Sequence, residues 1–416
     1  MPGGKISCYK LQTRVMFSLK ALLNPDVARN PPLLAAAHAL RAALFPIPVI
    51  TVFWQEQIGM SLADIMWLQA IFAATIVILE FPSGYIADGI GYRLSLCLGA
   101  AFWLAGWTIY ALGTTFGAMV IAEVALGLGL AFTSGADSAL LYVSLKASDR
   151  VGQYANWEGR VRAAAQMSEA MASAMGGWFY SLTPRLPFWL QIPIALTGYG
   201  AVAATREIDK ERSYERVKHL ARAWDIVGHA LVRQPRLRSA MTLSVSLGMS
   251  TYIAVWLIQP WMRARGIPLA WFGPLWALAH LWLAGVSLMS ARAGEKFGIS
   301  PALLICCALA FAGYLGLGLS VSAEGVIFYL GFMTVRGLQG PLLASVMQKD
   351  APPEDRASVL SLNALLFRLA AAVVLPPIGI LADRWGLDHV LAALSVIIGI
   401  ACLAAWTAFA RVHNNP

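Results

Sequence analysis

Twelve runs of mostly apolar residues, each about as long as a bilayer is thick, limit what this chain can fold into. A helix needs about 20 apolar residues to cross a hydrocarbon core of ~30 Å. Candidate runs lie at 33–54, 61–82, 92–112, 117–138, 158–182, 186–204, 239–262, 271–291, 301–320, 323–345, 358–382 and 388–410. Backbone N–H and C=O groups find no water in hydrocarbon, so such runs become helices. Of 416 residues, 58% are hydrophobic and only 13% charged, where a soluble domain carries about 25% charged residues. The expected fold class is an all-α polytopic membrane protein with 12 transmembrane helices.

The formal charge of +9 is distributed, not clustered. With the N-terminus inside, the inner segments hold 22 of the 31 Lys and Arg. The outer loops hold Arg185, Arg263, Arg265 and Arg384, and the spans hold Arg41, Arg160, Arg162, Arg336 and Arg368. This is the positive-inside bias, which puts both termini in the cytoplasm and makes the basic charge a topology signal, with no nucleic-acid partner implied. Residues 1–32 read as a solvated cytoplasmic arm without an apolar run long enough for a cleavable signal. Cys8, Cys97, Cys306, Cys307 and Cys402 have no metal-ligand spacing and imply no disulfide, so no metal and no cofactor is expected.

The stretch Glu80–Leu96, EFPSGYIADGIGYRLSL, sits between the second and third runs. Its Gly84, Asp88, Gly91 and Arg93 read as a tight polar hairpin loop. Much of the chain then recurs. Asp149-Arg150 returns as Asp355-Arg356 and Arg162 as Arg368, displaced by 206; Asp88 and Gly91 return as Glu295 and Gly298, displaced by 207. Gly379, Asp383 and Gly386 repeat the spacing of Gly84, Asp88 and Gly91 at the end of the eleventh run, and read as a structural turn.

The opening stretch resembles the loop between helices 2 and 3 of the major facilitator superfamily (MFS), roughly G-x-x-x-D-R/K-x-G-R-R/K. Gly84, Asp88, Gly91 and Arg93 match; Gly89 and Tyr92 stand where the family prefers basic residues. Arg336-Gly337-Leu338-Gln339-Gly340 resembles the family's R-x-x-Q-G motif, linked there to proton coupling, although it falls in the second half of this chain. Ala172-Ser173-Ala174-Met175-Gly176-Gly177 keeps the last glycines of the G-P-x-x-G-G antiporter motif and lacks its Gly-Pro. The resemblance covers nearly everything after residue 33 and is greatest to the bacterial drug and metabolite efflux branch. It implies two pseudo-symmetric six-helix bundles, 33–204 and 239–411, joined by a cytoplasmic linker at 205–238 and followed by a short tail at 412–416. It also implies a substrate site near the midplane between the bundles, and gating by Gly84, Asp88, Gly91 and Arg93 with Glu295 and Gly298.

Ionisable residues inside a membrane are costly and should face protein or water. Glu123 and Glu169 are the candidate proton carriers, and Arg41, Arg336 and Arg368 the candidate anchors for an anionic group. Glu123 occupies, in the fourth run, the register of Arg336 in the tenth, so the two either face each other across one cavity or are held by separate structural pairings within each bundle. Three deep arginines against two deep acids tilt the substrate toward negative charge. Asp137 is expected to join Arg150 near the inner surface, and Glu158 to pair with Arg162 at i, i+4. Trp256, Trp276 and His280 are candidate substrate contacts, Trp282 a further apolar surface, and Trp261 and Trp271 an interfacial belt.

The expectation is a monomeric plasma-membrane (bacterial inner-membrane) transporter with protons, a small-molecule substrate and the lipid bilayer as partners. Its expected activity is proton-coupled export of an amphipathic or anionic metabolite, drug or siderophore by alternating access. Nutrient uptake by symport, or a non-transporting receptor or lipid translocase on the same fold, are the alternatives. No G-x-x-x-x-G-K-[ST], H-E-x-x-H or G-x-S-x-G sequence supports an ATP-driven pump or an enzyme.

Overall fold

The computed structural model describes residues 27–208, 227–353 and 355–413. The arm at 1–26, the middle of the linker at 209–226, the tail at 414–416 and the side chain of Asp88 lie outside the described residues. The helices are α1 (Asn30–Ala42), α2 (Ile50–Phe53, continued by a π turn, Trp54–Ile58), α3 (Leu62–Ile90), α4 (Tyr92–Leu112), α5 (Phe116–Thr133), α6 (Ala136–Ala147), α7 (Tyr154–Leu182) and α8 (Leu186–Ala203). The second half adds α9 (Pro235–Ala264), α10 (Phe272–Phe297), α11 (Ile299–Leu319), α12 (Tyr329–Asp350), α13 (Arg356–Trp385) and α14 (Leu387–His413).

Ten stretches among the described residues are long and apolar enough to cross a membrane. Two of the twelve expected runs fall outside that set for chemical reasons. The first breaks between α1 and α2, where Pro46 and Pro48 withhold backbone donors. The fifth, α7, is one continuous helix, but Glu158, Arg160, Arg162 and Glu169 make its inner part polar.

The stretch expected as a polar loop is helical. α3 runs through Pro82, Gly84 and Asp88 to Ile90, and Gly91 alone joins it to α4. Residues 84, 88 and 91 are spaced i, i+4, i+7, so they follow one face of the last helical turns. Gly91 (φ 101°), Gly298 (φ 83°) and Gly386 (φ 85°) are all such one-residue joints. Each takes a backbone conformation that side chains other than glycine resist.

Because successive helices reverse direction, the joints fall on two faces. We call the face with Asn30, Gly91, Thr205 and Gly298 the near face, and the face with Gly59, Gly113, Gly266 and Gly386 the far face. Packing repeats between the halves: α4 lies on α5 and α8, as α11 lies on α12 and α14. The halves meet where α3 packs on α13 and α7 on α10. Trp54, Phe53, Tyr110, Phe188, Trp261 and Phe272 form part of one continuous core. Trp261 is fully buried, its Nε1 donating to Leu317 O at 2.9 Å, so it is a core residue and not part of an interfacial belt. Trp271 is exposed, as a belt position requires.

Candidate functional site

The two halves are closed together at the far face. The break at Pro46 and Pro48 leaves backbone groups without helical partners, and Gln259 of α9 supplies them. Gln259 Oε1 accepts from Thr51 N (3.1 Å) and Thr51 Oγ1 (2.7 Å), and Gln259 Nε2 donates to Ile47 O (2.8 Å). Asp383 is more than the turn residue expected from its spacing. Its carboxylate accepts from Leu62 N (2.9 Å) and Ala63 N (2.8 Å), the unpaired donors at the start of α3. Gly379, one turn earlier, permits this: a Cβ there would stand 2.6 Å from Leu62 O. Arg263 donates to Glu56 at 2.6 Å on the same face.

Toward the near face lies a cavity of about 450 Å³, lined by the first half with Arg368 as its one residue from the second. Its charged lining comes from α1, α6, α7 and α13: His38, Arg41, Asp137, Glu158, Arg162 and Arg368. Arg41 Nη2 donates to His38 Nε2 at 2.8 Å, and Asp137 Oδ2 lies 3.6 Å from Arg41 and 3.4 Å from His38. Asp137 therefore does not join Arg150, whose guanidinium donates instead to Gln153 at 2.8 Å. The reason is local: Gly135 (φ 78°) ends α5 and restarts the chain as α6, which turns Asp137 toward α1. Glu158 and Arg162 pair at 3.2 Å, as their spacing predicts. Arg368 donates to Glu80, an ion pair between α13 and α3 and thus between the halves.

Glu123 occupies a different place from the one its register with Arg336 suggests. It is buried among α3, α4 and α5, where Tyr110 donates its hydroxyl to Oε1 and Gln69 Nε2 lies 3.4 Å away. Both donors are neutral, and no salt bridge to Glu123 forms among the described residues. Arg336 is exposed on α12 and has no ion-pair partner among the described residues. It lies within electrostatic range of His280, Tyr252 and Tyr329, while Tyr252 is also within range of Glu123 and Arg368. Glu123 is held by neutral donors of its own half and Arg336 stands apart from it, so no direct Glu123–Arg336 pair forms.

Glu169 of α7 meets His280 of α10 at 3.7 Å, again across the halves. The His280 ring stacks on Trp276 at 5.2 Å. Trp276 lines an apolar cavity of about 120 Å³ with Phe272, Tyr329 and Leu330. Trp256 is buried, stacked on Trp54 at 5.9 Å and edge-on to Tyr252. Trp282 is exposed, and its Nε1 donates to Thr334 at 2.9 Å.

At the near face, Gly84 has open space beside it and Gly91 makes its joint. Glu207, which the sequence did not single out, accepts from Tyr92 N (3.2 Å) and Arg93 N (2.7 Å). Arg93 Nη2 donates to Ala203 O at 2.7 Å. Glu295 is exposed in the last turn of α10, beside the Gly298 joint.

Glu80, Gln69, Tyr110 and Gln259 also escaped sequence reading. Gln69 and Gln259 carried a usable signal, a polar amide inside an apolar run. Glu80 stood at the end of an apolar run, and Tyr110 within one.

The fold has solved counterparts. A nucleoside transporter, NupG, in its D323A form has a TM-score of 0.75 at 14% identity, covering 90% of this chain and 99% of that one. A POT family transporter in complex with 5-aminolevulinic acid has a TM-score of 0.72 at 14% identity, covering 92% and 96%. A bacterial homolog of the human lysosomal transporter Spinster, inward-facing and unoccupied, has a TM-score of 0.71 at 15% identity, covering 92% and 97%. These likenesses show the fold. No curated protein sequence matches this chain. The sequence profile of the Major Facilitator Superfamily matches residues 33–374, and so this integral membrane protein belongs to that superfamily.

Proposed function

We propose that the protein is a secondary transporter that moves a small amphipathic or anionic molecule outward in exchange for protons, by alternating access. The carrying observation is the one-sided contact between the halves: Gln259 and Asp383 bond across the far face, while a charged cavity lies toward the near face. The reciprocal packing of α3 on α13 and α10 on α7 supports two six-helix bundles, with the broken α1–α2 segment and the polar α7 completing twelve spans. The near face carries most of the Lys and Arg, which supports a cytoplasmic near face and both termini inside. The transporter neighbours support the activity class, and the efflux resemblance supports export.

Protons are assigned to Glu123 and Glu169. Glu123 bonds to neutral donors in a buried site. Glu169 meets His280 across the halves, where gain or loss of a proton changes an inter-half contact. Arg41 and Arg368 hold the anionic group from the near cavity, and Arg336, Trp256, Trp276 and His280 complete the proposed substrate path beyond its lining. Gly84, Asp88, Gly91 and Arg93, with Glu295 and Gly298, gate the near face. The test is substrate-driven pH change in dye-loaded proteoliposomes made with the full chain. Substrate entering against leaving protons is expected in the wild type, and Glu123→Gln is expected to lower the flux at least about tenfold while substrate binding persists. Flux that survives Glu123→Gln and Glu169→Gln unchanged removes both assignments. Substrate and protons moving together makes the protein a symporter.

A further inference from the structure

The charges of the near cavity are matched one for one. Arg41 is opposed by Asp137, Arg162 by Glu158 and Arg368 by Glu80. Asp137 and Glu158 belong to the lining and Glu80 stands against Arg368 behind it, so the positive charge counted along the sequence is offset at this cavity; Arg336 is not among its lining residues.

The pairs differ in what they do to a ligand. Arg162 is 78% exposed and bonds along its own helix, so its pair is readily given up. Arg41 and Asp137 lie within the first half, with His38 against both. Arg368 and Glu80 belong to opposite halves and are only 23% and 27% exposed. Glu80 lies 10 residues, or about 15 Å, from the near end of α3, deep enough to be partly dry.

A plain anion arriving at Arg368 takes the guanidinium away from Glu80 and leaves that carboxylate without a counter-ion. A plain cation at Glu80 strands Arg368 in the same way. Removing one member of a partly buried pair is costly mainly because the other is left bare. A ligand with both charges avoids either loss: its carboxylate accepts from Arg368 while its ammonium donates to Glu80. The same exchange is open at Arg41 and Asp137. We infer that the cavity takes a small zwitterion bearing a carboxylate and an ammonium group, and that Glu80 is the residue that discriminates against plain anions. The inference rests on reading this cavity as the transport site. It narrows the anion-bearing class of substrate to molecules that also carry a cation.

The probes are three matched sets: free α- and ω-amino acids with simple dipeptides, their N-acetyl derivatives, which are anions, and their methyl esters, which are cations. Thermal unfolding of the full chain in detergent gives the ranking. At least one zwitterion is expected to raise Tm, with its acetylated and esterified forms binding at least about tenfold more weakly. In Glu80→Gln the acetylated form is expected to overtake its parent, and Glu80→Asp is expected to keep the wild-type order. Equal response to a zwitterion and its acetylated form, no response to any zwitterion, or an unchanged order in Glu80→Gln overturns the inference. The wild-type ranking needs no variant to fold. Flux in proteoliposomes separates the two readings. The expected ranking without flux leaves the zwitterion site and removes transport; flux driven by acetylated anions alone leaves transport and removes the zwitterion.

Discussion

At the residue scale, Glu123 shows how far a lone charged position can be read. An acid inside an apolar run is a visible anomaly, so the position itself was legible from the sequence. Its partners were not, because Tyr110 and Gln69 stand on two other helices, and nothing in those runs says which helix they face. Register with Arg336 pointed to the wrong partner, since the helix rotates Glu123 into its own half. The geometry gives a direct check. Tyr110→Phe deletes the hydroxyl that donates to Glu123 and leaves a buried carboxylate short of a donor. A loss of about 1–3 kcal/mol is expected, read as a lower Tm in detergent. Unchanged stability would mean that Glu123 has another donor and that this bond contributes nothing net.

At the scale of elements, the spans were legible because hydrophobic length decides them, and the joints were less so. A polar stretch between two apolar runs looks the same whether it is a loop or the polar end of a helix. The structure resolves Gly84 and Asp88 as helical and leaves Gly91 as the joint. The spacing of Gly379, Asp383 and Gly386 was also visible, but its role depends on where α13 ends, beside the start of α3. Asp383→Ala removes a helix cap, a loss of about 1 kcal/mol. It also removes a bond between the halves, so Thr51→Cys is expected to react faster with a membrane-impermeant maleimide in the Asp383→Ala background. Equal labelling rates would make Asp383 a cap alone and not a far-face clasp. Gly379→Val is expected to lower Tm more than Asp383→Ala, because its Cβ meets backbone that cannot yield.

At the scale of the whole molecule, alternating access requires that bonds broken on one face be replaced on the other. Under the proposed mechanism, two sets of residues with the same spacing are placed for this. Gly84, Asp88 and Gly91 recur at a displacement of 295 as Gly379, Asp383 and Gly386. The first set ends α3 at the near face, and the second ends α13 at the far face. The second set is engaged, with Gly379 against Leu62 and Ala63, the first residues of α3. Gly84 stands in open space. The equivalent contact would seat Gly84 against Arg356 and Ala357, the first residues of α13, when the near face closes. Paired cysteines, Gly84→Cys with Ala357→Cys, are therefore expected to cross-link slowly in the state described here. Weakening the far clasp with Asp383→Ala shifts the balance by about 1–2 kcal/mol, a factor of about 5–30 in population. The cross-linking rate should rise by a factor in that range. If it does not, the two glycine–aspartate sets are not reciprocal, and closure of the near face uses other residues.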